Sequence, residues 1–205
     1  MTDNRIPRRS RRDGLLALLA GLYFLGVVLG TVLYCTLNEE RAKILDEITV
    51  SFVAGRLRHT FWETLVNSFS GAFIMLLICF VLGFCVIAQP AEIFMPLFRG
   101  LGAGASIAVM YSSYGLAGAG ASALLIVPNA VISAFALIMA SREAVRFSSA
   151  LYNTAFGRES SRERPDIRLY FTKFVILCAV LAVSAFIDSI ITFAAAGLWT
   201  SLLGV

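Results

Sequence analysis

Apolar residues fall into long continuous runs separated by polar stretches, without the amphipathic alternation of a water-soluble core. About 20 apolar residues of helix cross a bilayer, so the runs predict spans over about residues 14–37, 67–88, 97–114, 116–140 and 169–188. The last run continues from Leu169 to Val205, too long for one upright span, and is expected to bend at Asp188 and bring Trp199 near the surface. Between the first two spans lies the polar segment 38–66, in which Ile44, Ile48, Phe52 and Leu57 recur near helical spacing among charges. That pattern predicts an amphipathic helix lying on the membrane or against a partner, with His59 and Trp62 where an interfacial belt begins. The expected fold is all-α: a polytopic membrane bundle of about five transmembrane helices plus one extracytoplasmic amphipathic helix. A basic tail, residues 1–13, precedes a single transmembrane domain over 14–205, which includes a cytoplasmic basic loop at 141–168.

Composition supports a membrane class. The 205 residues are 59% hydrophobic and only 15% charged, against roughly 25% charged in soluble domains, and the mean hydropathy is +0.82. The first run exceeds the ~7–15 apolar residues of a signal peptide's central region and no A-x-A-like site closes it, so it is expected to remain as an anchor. Five spans with the N-terminus inside place thirteen of the 17 basic residues in the cytoplasm: five in the tail, Arg99, and seven from Arg142 to Lys173. Only Arg41, Lys43, Arg56 and Arg58 fall outside, among acids, as the positive-inside rule requires. This bias, without an aromatic-basic motif, argues against nucleic acid as a partner. The localisation expected is a membrane crossed several times, with the N-terminus cytoplasmic.

Candidate chemistry is sparse. Cys35, Cys79, Cys85 and Cys178 show no C-x-x-C spacing and read as small buried hydrophobes. His59, the single histidine, reads as an interface residue. There is no H-E-x-x-H, no G-x-S-x-G, no Walker A sequence and no second acid near Asp188, so neither an enzyme, nor a metal, nor any other cofactor is expected. Gly26-x-x-x-Gly30 and Gly100-x-x-x-Gly104 let helix backbones approach closely, either within the bundle or in a homodimer. Polar residues inside membranes are functional candidates by default. Arg99 is expected to snorkel from the cytoplasmic end of its span, and Asp188 to lie near the outer interface. Asn129, beside Pro128, is the best central candidate, with Ser112, Ser113 and Ser133 near it. The Pro128-Asn129 pair is expected to kink its helix, the amide satisfying freed backbone groups or bonding a neighbouring helix.

Particular residues resemble a known family. "LYFLGVVLG" in the first span, the outside amphipathic segment, "LFRGLGAGA", Val127-Pro128-Asn129, the basic loop after "ALIMASREAVRFS" and a last span carrying an acid are together similar to the stage II sporulation protein M family. Arg99-Gly100 with Gly104, and Pro128 followed by Asn129, are the most specific pieces. The chain departs from the family's habit of a proline near the C-terminal acid, since none follows Pro165. The resemblance implies a non-catalytic scaffold that anchors and localises a peptidoglycan-hydrolase complex during engulfment, in the mother-cell membrane, with sporulation proteins D and P as the wall-cutting partners. Membrane lipid is a further expected partner. Ile44, Ile48, Phe52 and Trp62 are the candidate docking residues. The alternative is a small-solute permease or transporter subunit with Asn129 and Arg99 on a substrate path.

Overall fold

The computed structural model describes residues 8–58, 61–155 and 166–203. Six α-helices and one 3-10 turn make up the fold among these residues: α1 (Arg8–Thr36), α2 (Glu39–Arg58), α3 (Phe61–Leu82), the turn Val86–Ala88, α4 (Gln89–Leu125), α5 (Val127–Ala155) and α6 (Ile167–Leu203). Four stretches are long and apolar enough to cross a membrane: Gly14–Thr36, Phe61–Leu82, Gln89–Leu116 and Ile167–Ala194. Gly118–Leu124 and Val127–Thr154, bent by 44° at their joint, count as a fifth if they form one span. The bundle is all-α and polytopic, as the apolar runs predict.

The outside of the bundle is apolar, and many of the residues buried at its helix contacts are small. Phe24, Leu25, Val28, Ile74, Val81, Phe171, Val175 and Phe193 are exposed, while Ala108, Ala130, Ala134, Ala136, Ala140, Ala144 and Ala185 are buried. Lipid is as apolar as leucine, so large side chains gain little by turning inward, whereas small ones let helices approach and hydrogen-bond. The most extensive pairing joins α1 to α4, and glycine creates it. A methyl group added at Gly26 or Gly30 would collide with the carbonyl oxygens of Leu97 or Leu101, and one at Gly100 or Gly104 with those of Tyr23 or Val27. The two glycine motifs thus face each other within one chain. Thr31 Oγ1 adds a bond to the Val27 carbonyl at 3.0 Å and reaches that of Gly104 at 3.4 Å. Self-association would have to use another surface.

A second core joins α3, α5 and α6. Leu76, Cys79, Leu137, Phe147, Tyr170, Phe174 and Leu181 are buried together there. Phe147 stacks on Tyr170 at 4.3 Å between ring centres, and Phe80 stacks on the same ring at 5.3 Å. The Tyr170 hydroxyl donates to the Phe80 carbonyl at 3.0 Å. Gly83 leaves the space that hydroxyl occupies.

Four boundaries differ from the sequence-based expectation. Pro90 and Pro96 do not make a turn before Leu97: α4 starts at Gln89, with Pro90 in its first turn and Pro96 buried inside it. The first turn needs no amide donor, and membrane bundles accommodate an interior proline by re-satisfying the freed backbone groups. The expected loop beginning at Ser141 is instead helical as far as Ala155, because Ser141, Ala144, Phe147 and Ser148 are buried against the α3 side of the bundle. Phe156–Pro165 lies outside the described residues. The second span begins at Phe61, six residues before the expected start. Helix α6 passes through Asp188 without the expected bend, since that carboxylate is held from neighbouring helices.

Two breaks in the second half of the chain fall at glycine and proline. Gly115 has φ +59°, inside α4, a backbone region that side chains disfavour. The second break lies at Ile126, just before Pro128. Pro128 has no amide to give the Leu124 carbonyl, whereas the Ile126 and Ala130 amides still reach Ser122 and Ile126 at 2.9 Å.

Candidate intramembrane polar site

The polar residues of four helices converge on one region. Ser68 of α3 donates to Asp188 Oδ2 of α6 at 2.7 Å, and the Asn129 amide of α5 reaches the same oxygen at 3.5 Å. Asn129 Oδ1 accepts from Ser184 Oγ at 3.2 Å. Ser184 and Asp188 are one turn apart on α6 and therefore share a face. Asp188 is 3% exposed, so it is buried between helices. The amide of Asn129 bonds a neighbouring helix, one of the two roles open to it on sequence grounds.

Arg99 lies beside this cluster. It sits ten residues after Gln89, about 15 Å along the helix, because α4 begins earlier than expected. It is half-buried and does not snorkel from a helix end: Nη2 donates to Ser133 Oγ of α5 at 2.9 Å. Ser133 in turn donates to the Ala130 carbonyl at 3.2 Å. Among the described residues Arg99 pairs with no carboxylate.

Next to Arg99 is a cavity of about 190 Å³ lined by Ser68, Gly71, Ala72 and Asn67 of α3, Arg99, Gly102, Ala103 and Ser106 of α4, Ile126 at the break, Asn129 and Ala130 of α5, and Thr49 of α2. It exists because α3 and α4 touch little and carry glycine where they face it: neither Gly71 nor Gly102 has an atom within 4 Å of an added methyl.

Helix α2 closes the bundle at the Thr49 end. Tyr34 Oη at the end of α1 donates to Asp46 Oδ1 at 2.7 Å, and α2 packs on α4 and α6. Ile44 is 57% exposed and Ile48 64%. They stand one turn apart, forming an uncovered apolar strip beside the buried contact. Trp62, at the start of α3, is 68% exposed. The side chains of Phe52 and Trp199, and the whole of His59, lie outside the described residues. Of the cysteines, Cys35 and Cys85 are exposed, Cys178 half-buried and Cys79 buried, all as free thiols.

Three groups escape a sequence reading. Ser68 looks like any interfacial serine until α3 is placed beside α6. Glu92 is fully buried, and neither of its oxygens has a hydrogen-bond partner among the described residues. Its signal was the preceding Pro90, which marks a helix's first turn instead of a loop. Glu143 accepts from Lys173 Nζ at 2.6 Å and Arg146 Nη1 at 3.3 Å, tying α5 to α6 at the end that carries the basic loop. No group of three or more His, Cys, Asp or Glu side chains able to hold a metal occurs among the described residues.

A helical bundle with a lipid-facing apolar surface, small residues at its helix contacts and one buried polar cluster defines a polytopic integral membrane protein. Its sequence matches the family model described as Stage II sporulation protein M over residues 17–193. The chain belongs to that family, which makes it a sporulation membrane protein. No curated protein and no solved structure matches it.

Proposed function

We propose that the protein is a non-catalytic scaffold in the plasma membrane, anchoring a peptidoglycan-hydrolase complex while the mother-cell membrane engulfs the forespore. Its partners in this reading are sporulation proteins D and P, which cut the wall. The N-terminus is cytoplasmic and α2 lies on the outer side. The observation that carries the reading is α2 itself: it is tied to α1 through Tyr34 and Asp46 and leaves Ile44 and Ile48 uncovered. A scaffold needs a rigid exposed surface more than it needs reactive groups, and an apolar strip among mixed charges suits protein docking. Asn129 and Arg99, which a permease would use along a substrate path, are each bonded to a neighbouring helix, to Ser184 and to Ser133, which favours the scaffold.

Co-purification of the tagged full chain with sporulation proteins D and P tests this. Recovery of the partners should fall at least about tenfold in Ile44→Asp/Ile48→Asp, with the bundle's thermal stability unchanged, since an interface centre loses ~2 kcal/mol or more on such a change. Undiminished recovery would remove α2 as the docking surface. Failure of the unaltered chain to bring down either partner would remove the scaffold.

A further inference from the structure

We propose that the cavity beside Arg99 is a binding site for a polyol phosphate group, of the kind carried by a phosphatidylglycerol headgroup or by soluble glycerol phosphate. This is independent of whether wall hydrolases are partners.

The argument begins with charge. A guanidinium part-way along a membrane-spanning helix is expensive unless paired. Arg99 spends one N–H on the neutral hydroxyl of Ser133, and no carboxylate among the described residues answers its charge. The nearby Asp188 is occupied from Ser68 and Asn129 and does not line the cavity. The guanidinium fork suits an oxyanion held through two parallel bonds.

The lining specifies the rest of the ligand. Thr49 and Asn67 bring a hydroxyl and an amide around the same space, and Ser68, Ser106 and Asn129, already donating to Asp188 and to the Gly102 carbonyl, keep lone pairs or a second amide N–H beside it. Such groups both donate and accept, so they match a ligand that carries hydroxyls next to its anionic group. The volume of about 190 Å³ suits one headgroup-sized molecule and excludes a partner helix, whose diameter alone is ~10 Å. Gly71 and Gly102 keep the space open. They play no part in the α1–α4 glycine contact, so the opening is not a by-product of that packing.

The test uses the delipidated full chain in detergent, native mass spectrometry and two probes. One probe is an equimolar mixture of phosphatidylglycerol and phosphatidylcholine; the other is glycerol phosphate without lipid. The expected result is a phosphatidylglycerol preference, or a glycerol phosphate adduct, reduced at least about tenfold in Arg99→Gln. Retention of the lipid alone identifies a headgroup as the source; an adduct with glycerol phosphate alone identifies a soluble ligand. Gly102→Leu fills the cavity while leaving Arg99 and Ser133 themselves unchanged in sequence, and it should abolish the same binding in a chain whose melting temperature is preserved, which covers the case in which Arg99→Gln misfolds. Equal binding of both probes by the unaltered chain and a folded Gly102→Leu variant, or no binding by the unaltered chain, would overturn the proposal.

Discussion

Two alanine substitutions on one helix test whether glycine contact holds α1 to α4. Gly30 and Gly21 both lie on α1, nine residues apart. A methyl at Gly30 would collide with the Leu101 carbonyl oxygen and stand 2.9 Å from its carbon and 3.0 Å from the Ala105 nitrogen, whereas one at Gly21 would meet nothing within 4 Å. Ordinary contact begins at about 3.4 Å, so Gly30→Ala forces two backbones apart, and backbone cannot rotate away as a side chain can. Overpacking of this kind costs about 1–3 kcal/mol. Replacing glycine by alanine within a helix returns up to ~1 kcal/mol at either position. Propensity therefore cancels in the comparison, and steric contact sets the difference: about 1–3 kcal/mol, or roughly 5- to 150-fold in the folded-to-unfolded ratio. Unfolding in mixed micelles of rising denaturing-detergent fraction, followed by circular dichroism, measures it. Gly21→Ala should match or exceed the unaltered chain, and Gly30→Ala should fall below both. Equal stabilities for the two variants would refute the glycine-contact account.

Three further outcomes are expected. Tyr34→Phe removes the bond to Asp46, and hydrogen bonds to charged groups contribute ~1.5–3 kcal/mol; limited trypsin digestion at Arg41 and Lys43 should then be at least about tenfold faster. A double-mutant cycle on Ser68→Ala and Asp188→Ala should give a coupling of at least about 0.6 kcal/mol, the average between membrane helices, whose maximum is ~1.7, and additive effects would show that the 2.7 Å contact does not join α3 to α6. The free thiols report orientation: in intact protoplasts an impermeant maleimide should label exposed Cys35 promptly and Cys85 only after permeabilisation, and the opposite order would reverse the proposed topology.

The helical class was readable in the sequence because apolar length alone decides it, and the four-residue glycine spacings were visible as contact motifs. What the spacing could not give was their partner, since GxxxG faces look alike whether they meet inside a chain or between chains. Arg99 was misplaced for a definite reason. Two prolines six residues apart resemble a turn, but Pro90 occupies a helix's first turn and Pro96 is absorbed by the bundle, moving Arg99 inward by about two helical turns. Ser141 to Ala155 looked like loop because Arg142, Glu143 and Arg146 interrupt the apolar run and the segment leads into the charged stretch GRESSRERPD. In the helix Ser141, Ala144 and Ser148 are buried, and Glu143 takes up Lys173 and Arg146. Asp188 and Asn129 were each conspicuous alone, yet their meeting, with Ser68 and Ser184, required the helices to be placed.

The pairing of Gly26 and Gly30 with Gly100 and Gly104 also imposes an order on synthesis. The first span leaves the ribosome with its tightest surface formed, while the carbonyls that fill it lie more than seventy residues downstream. At translation rates of ~5–20 residues per second, α1 waits roughly 4–15 s for α4. During that interval the groove along Gly26 and Gly30 is bare to the bilayer, open to an acyl chain, an insertion factor or the same groove on a neighbouring nascent chain. The arrival of α4 ends that competition, so crowding of ribosomes on one message would favour entangled products over correctly closed bundles.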